Sequence, residues 1–223
     1  MSWQCVHGGD NITAVNTPLE VAAVEQMKPL CGPLHAALQY GAEHADQMMR
    51  DAGLIGAELN WHRHNHARVL AGAQLQRQDE IGPWKVLPRQ KTGSLQLVNG
   101  FMTVRVLRPL DGGVPVPGFN KRRRAFYVQP TITGLPMDGA FPELQVSNFV
   151  ATWEVLDLDS FEIGIKVFRT TGTFKIGDAS KVDLAFWLPN DADAIDNLVF
   201  EPSDEGIDLP IPKEESDVEP LHG

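Results

Sequence analysis

Cysteine is scarce: Cys5 and Cys31 are the only two in 223 residues. They form no CxxC motif and no disulfide framework. A single Cys5–Cys31 bridge and two reduced thiols both remain open readings. Long apolar runs are missing too, and none approaches the ~20 residues that span a bilayer. The first fifteen residues, MSWQCVHGGDNITAV, lack a basic region followed by an apolar one, so no secretory signal is expected. The expectation is synthesis in the cytoplasm, with incorporation into a larger assembly left open and no membrane partner. GxSxG, P-loop, GxGxxG and HExxH patterns are absent. No set of nucleophile, base and orienting residue stands out, so the chain reads as a non-enzyme with no cofactor.

Charge is present but unevenly placed. Of 29 acids and 19 bases, residues 191–223 hold eleven acids and one base, Lys213. That segment carries the whole net charge of −10, and the 18 acids and 18 bases of residues 1–190 cancel. Within residues 85–124, nine bases face a single acid, Asp111. An acidic total charge therefore hides a basic middle, which is compatible with a local anion-binding surface.

Three zones follow: a helical segment over residues 1–80, a β domain over 81–190 and an acidic, extended tail over 191–223. Thr17, Pro18 and Glu20 make a capping box with proline at the first helical position. Lys28-Pro29 and Cys31-Gly32-Pro33 interrupt the first helix. A second helix is expected over about 33–51 and a third over about 55–78, with Gly53 and Gly56 between them. From residue 81 the apolar period becomes two. LQLV-NG-FMTVRVL predicts a hairpin turning at Asn99-Gly100, the pair suited to a type I′ turn. Strands are also expected over 122–129, 144–156, 161–171 and 181–188, with Leu156–Ser160 joining two of them. The Gly- and Pro-rich residues 111–121 read as a loop. The predicted fold class is α+β: an N-terminal helical segment followed by an antiparallel β-sandwich.

Histidines cluster in NWHRHNHARVL, where His62, His64 and His66 alternate. On a helix His62 and His66 share a face and His64 points elsewhere. Two imidazoles without an adjacent carboxylate are too few for a zinc site. Leu34, Leu38, Gly41, Ala45, Met48, Ala52, Ile55, Leu59, His62, His66, Val69, Ala73 and Gln76 follow a 4-3-4-3 spacing, the seam spacing of a coiled coil. Two readings stay open: a hairpin packed on its own β domain, or a self-associating stalk. In the stalk, His62 and His66 of several copies converge on an axis as candidate ion ligands. A second candidate is KRRRAFY. There Lys121, Arg122, Arg123 and Arg124 offer a basic contact surface beside Phe126 and Tyr127, suited to phosphates and stacked bases.

Residues 124–189 resemble the H-type lectin domain. The resemblance rests on Pro130-Thr131-Ile132, Phe161-Glu162-Ile163-Gly164-Ile165 and Trp187-Leu188, set in three successive apolar strands. It implies a small antiparallel β-sandwich, generally trimeric, that binds sugars such as N-acetylgalactosamine. Where that family usually has Thr-Trp, this chain has Val167-Phe168-Arg169. The implied ligand-binding residues are Phe168, stacking on a sugar, and Arg169, hydrogen-bonding its hydroxyls.

The expected function is a non-catalytic homo-oligomeric binding or adhesion protein that recognises glycans. The first alternative is a structural subunit of a particle, virion or fibre, with the acidic tail on neighbouring copies. The second is a nucleic-acid-binding regulator using Lys121–Arg124.

Overall fold

Pro18 opens the first helix, where its missing N–H costs no hydrogen bond. The computed structural model describes residues 18–54, 56, 59–78, 81–88, 94–100, 102–109, 113–117, 121–129, 147–171 and 180–196. Helix α1 spans Pro18–Met27, a 3-10 turn spans Lys28–Leu30, and α2 spans Cys31–Asp51. Pro29 thus makes the break, whereas Pro33 falls within the first turn of α2, where proline is tolerated. Thr17 and the Glu20 side chain lie outside the described residues. Gly53, at φ +67°, ends the α2 connection, and α3 spans Asn60–Arg77.

Six strands follow: β1 Lys85–Val86, β2 Leu95–Asn99, β3 Met102–Leu107, β4 Asn148–Asp157, β5 Glu162–Thr170 and β6 Val182–Leu188. They form one sheet in chain order. All neighbours are antiparallel except β3 and β4, which pair parallel. The described strands therefore make a single mixed sheet, not the two facing antiparallel sheets of the expected sandwich. A parallel pair needs a crossover, and residues 108–147 provide it.

That crossover corrects a further expectation. Residues 122–129 were expected as a strand, but Lys121–Tyr127 is a helix, α4. Arg, Lys and Ala are strong helix formers. The helix also places Tyr127 in a small cluster with Leu107 and Val150 on one sheet face. Its terminal carbonyls are satisfied by side chains: Asn148 Nδ2 donates to Phe126 O at 2.9 Å and Thr170 Oγ1 to Tyr127 O at 3.0 Å. The Asn99-Gly100 expectation also shifts. Asn99 pairs with Met102 as the last residue of β2, so Gly100, at φ +58°, is the first loop residue. The turn 157–160 joins β4 and β5 as expected. Asp157 accepts from Asp159 N at 3.0 Å and Ser160 Oγ at 2.7 Å. The acidic segment begins with a short helix, α5 (Asp193–Asp196), instead of extended chain. The rest of it lies outside the described residues.

The opposite sheet face carries the main core. Val104 and Val106, Phe149 to Val155 at alternate positions, Ile163, Ile165 and Val167, and Leu184, Phe186 and Leu188 all join one buried cluster with α1, α2 and α3. The helices thus pack on the sheet. Leu34, Leu38, Gly41 and Ala45, the first four of the thirteen positions of the heptad-like seam, are buried inside this unit. Each fully buried large side chain contributes ~1.5–3 kcal/mol. Helices α2 and α3 approach closely at Gly41, where a Cβ would stand 2.2 Å from Ala67 O and 3.0 Å from Ala67 C. The obstacle is backbone, so it cannot rotate away. Gly41→Ala is expected to destabilise the fold by ~1–3 kcal/mol through overpacking, read as a lower Tm in thermal denaturation.

Candidate functional site

Ala42, Asp46 and Arg50 recur every four residues, so they share one face of α2. Arg63, His64 and Ala67 face them from α3, and Trp153 and Val155 stand two apart on β4. With Leu158 and Phe161 from the β4–β5 turn, these residues line a cavity of about 320 Å³. Phe161 takes φ +52°, a left-handed conformation that a bulky residue rarely adopts. This backbone lets the turn bring its ring into the cavity wall.

The polar groups are tightly grouped. Asp46 pairs with Arg50 at 2.5 Å and with Arg63 Nε at 3.5 Å. The second contact is an ion pair without hydrogen-bond geometry, and Arg63 Nε is buried with no hydrogen bond. Arg63 Nη1 donates to Asn60 Oδ1 at 3.1 Å. Trp153 is only 2% exposed, and its indole Nε1 has no hydrogen-bond partner. A buried donor left unsatisfied costs ~1–3 kcal/mol. His64 meets the Trp153 ring edge-on, with centroids 4.9 Å apart. Burial, and then the positive charges of Arg108, Arg68 and Arg63, push the His64 pKa down to about 4. The imidazole is therefore neutral at pH 7.

The residues singled out in the sequence lie elsewhere. Phe168 is 6% exposed, with Lys166 Nζ 5.6 Å from its ring centroid, so it offers no open face for stacking. Arg169 is the next residue on β5, so it points to the other face of the sheet; it pairs with Asp183 at 3.4 Å. The two do not form one surface. Lys121 and Arg122 are exposed and Arg123 and Arg124 half-buried, distributed around a helix instead of alternating on a strand. His66 is exposed and His62 lies against Trp61, with ring centroids 3.4 Å apart. His64, the member expected to point away from that pair, is the buried one. Among the described residues no group of three His, Cys, Asp or Glu side chains could hold a metal ion. Cys31 is buried, and burial pushes its thiol up to about 12. Pro130-Thr131-Ile132 and Cys5 lie outside the described residues.

Asp46, Arg63 and Trp153 do not stand out in the sequence, and His64 and Phe161 stand out there for other reasons than a shared cavity. One signal was available: Ala42-Asp46-Arg50 marks a polar stripe on a face whose neighbours Leu38 and Ala45 are core.

His64 binds a proton more weakly in the fold than in the unfolded chain, whose pKa is near the ordinary 6.5. Between about 6.5 and about 4 the unfolded state holds more protons, so stability falls as pH falls through that window. The loss is on the order of 3 kcal/mol. Urea denaturation at pH 7 and pH 4.5 should show it, and His64→Leu should remove most of this dependence. No protein-family model, curated protein or solved structure matches this chain.

Proposed function

We propose that this protein is a non-catalytic binding protein that receives a small organic anion in the cavity between α2, α3 and the sheet. One observation carries the reading: Trp153 Nε1 and Arg63 Nε are buried donors without hydrogen-bond acceptors, and both residues line the same cavity. A ligand carboxylate supplies those acceptors. Charge points the same way, since Arg50 and Arg63 outweigh Asp46 while His64 is neutral. Ala42, Ala67, Val155, Leu158 and Phe161 provide apolar walls for the ligand's body. Such a pocket, apolar with a few convergent polar groups, is the usual form of a small-ligand site. Its lining contains no Ser, Thr, Cys or Lys nucleophile, which favours binding over catalysis.

The test is calorimetric titration with benzoate, hexanoate and glucuronate, beside benzyl alcohol as the neutral counterpart. Saturable binding of a carboxylate and not of the alcohol is expected. Trp153→Phe and Arg63→Met should each weaken it about tenfold or more, as expected for a lost hydrogen bond to a charged group. Ala42→Leu should fill the cavity and abolish binding. Preference for glucuronate would extend the reading to acidic glycans. Failure of every carboxylate, or equal binding by all variants, would count against the pocket.

A second reading, self-association, is favoured by one observation. Met48, Leu54, Trp61 and Leu158 are large apolar side chains exposed at the α2–α3 connection and the β4–β5 turn. Apolar surface of this kind marks contact sites. A mass above that of one chain in light scattering, reduced in Trp61→Glu, is the expected outcome; a monomer at all concentrations sinks this reading.

A further inference from the structure

The turn between β4 and β5 supplies one wall of the cavity, through Leu158 and Phe161. Both ends of this turn have irregular backbone. At its start Val155 pairs with Ile163 and Asp157 with Glu162, so Leu156 is left without a strand partner. Irregularities of this kind bend a strand and are common beside functional sites. At its end Phe161 holds the left-handed φ of +52°. A bulky residue keeps that conformation only where its surroundings outweigh the cost. Here the outweighing contact is the ring, which packs half-buried against the main core. Between the two ends the turn holds its own shape, since Asp157 accepts from Asp159 N and Ser160 Oγ. It is joined to α2 by Gln39, whose Nε2 donates to Ser160 O at 2.8 Å. Gln39 lies three residues before Ala42 and seven before Asp46, on the helix face that lines the cavity. Gln39 and residues 157–160 are exposed, so water competes for this bond and its net contribution is modest.

We propose that residues 157–161 form a lid over the cavity, latched to α2 by Gln39, that opens to admit the ligand and closes with the Phe161 ring against it. The role of the ligand rests on the reading of the cavity as an anion site. In the open form the Gln39–Ser160 bond is broken and Phe161 leaves the left-handed region, withdrawing its ring from the cavity. Backbone strain at Phe161 favours opening. Packing of its ring and the latch favour closure. These opposed contributions keep the two forms close in free energy. A bound ligand touches Leu158 and Phe161 in the closed form alone, so it shifts the population towards closure. Closure then excludes water from the unsatisfied donors Trp153 Nε1 and Arg63 Nε and their ligand, as lids over binding sites do.

The full chain, with para-fluorophenylalanine in place of Phe161, is followed by fluorine NMR without ligand. Gln39→Ala should move the resonance towards its position in the urea-unfolded chain. Gln39→Glu, which keeps the length but removes the donor, should do the same. Gln39→Lys, which offers Ser160 O another donor, should move it back. Gln39 is exposed, so these variants are expected to fold, with circular dichroism as the check. The unlabelled chain is then mixed with benzoate, and separately with hexanoate, in stopped flow, with tryptophan fluorescence as the signal. The observed binding rate should level off as ligand increases, at the rate of lid opening. Gln39→Ala should raise that plateau about two- to tenfold, the size of one ordinary hydrogen bond. A resonance that stays in place in both Gln39→Ala and Gln39→Glu overturns the lid. So does a binding rate that rises linearly with ligand, without a plateau, in wild type and Gln39→Ala alike. If neither carboxylate binds, the anion reading of the cavity fails, and the fluorine spectrum alone decides whether the turn opens.

Discussion

The close approach of α2 and α3 at Gly41 is the constraint on which the rest of the structure depends. The backbone of Ala67 occupies the space a side chain at residue 41 would need. Ala37, Ala45 and Ala71 are also buried, so small residues mark both sides of the contact. This lets the two helices lie together over one face of the sheet. The cavity follows from the same contact. Just beyond Gly41, Ala42 and Asp46 face Arg63 and His64, and Ala67 lines the cavity beside its own contact with residue 41.

Helix α3 then directs polar groups to two places. Arg63 and His64 line the cavity, while Arg68, five residues after Arg63, reaches the Val106 carbonyl in β3. Each place combines a buried guanidinium with an aromatic ring: Arg63 with Trp153 in the cavity wall, and Arg105 with Phe126 at α4. In each, a buried N–H lacks an acceptor. Native folds satisfy nearly all such groups, so the unsatisfied donors of the cavity are the physical grounds for the anion proposed there. In the cavity, Asp46 offsets one of the two cations, Arg50 and Arg63.

Much of the fold could be read from local pattern. The period-two runs of β2, β3, β4, β5 and β6 are visible because each strand buries one row of residues against the helices. The helix breaks at Pro29 and Gly53 are visible because proline and positive φ have local causes. Residues 122–129 were not read correctly, because alternation and helical propensity compete in RRRAFYVQ. Burial of Tyr127 against Leu107 and Val150, and caps from Asn148 and Thr170, accompany the helix. The single sheet was not legible either, since inward alternation is the same whether the covering layer is a second sheet or helices.

By itself the sequence determined the α+β class, the order of helices and strands outside residues 121–127, and the separation of a neutral body from an acidic C-terminal segment. These depend on periodicity, turn residues and charge count, which are local quantities. Only the tertiary structure decided which histidine is buried, that Phe168 and Arg169 face apart, and that Asp46, Arg63, His64 and Trp153 share a cavity. It also decided that Arg105 of β3 lies against Phe126 of α4. Burial and charge proximity arise between segments far apart in the chain, and no local pattern encodes them.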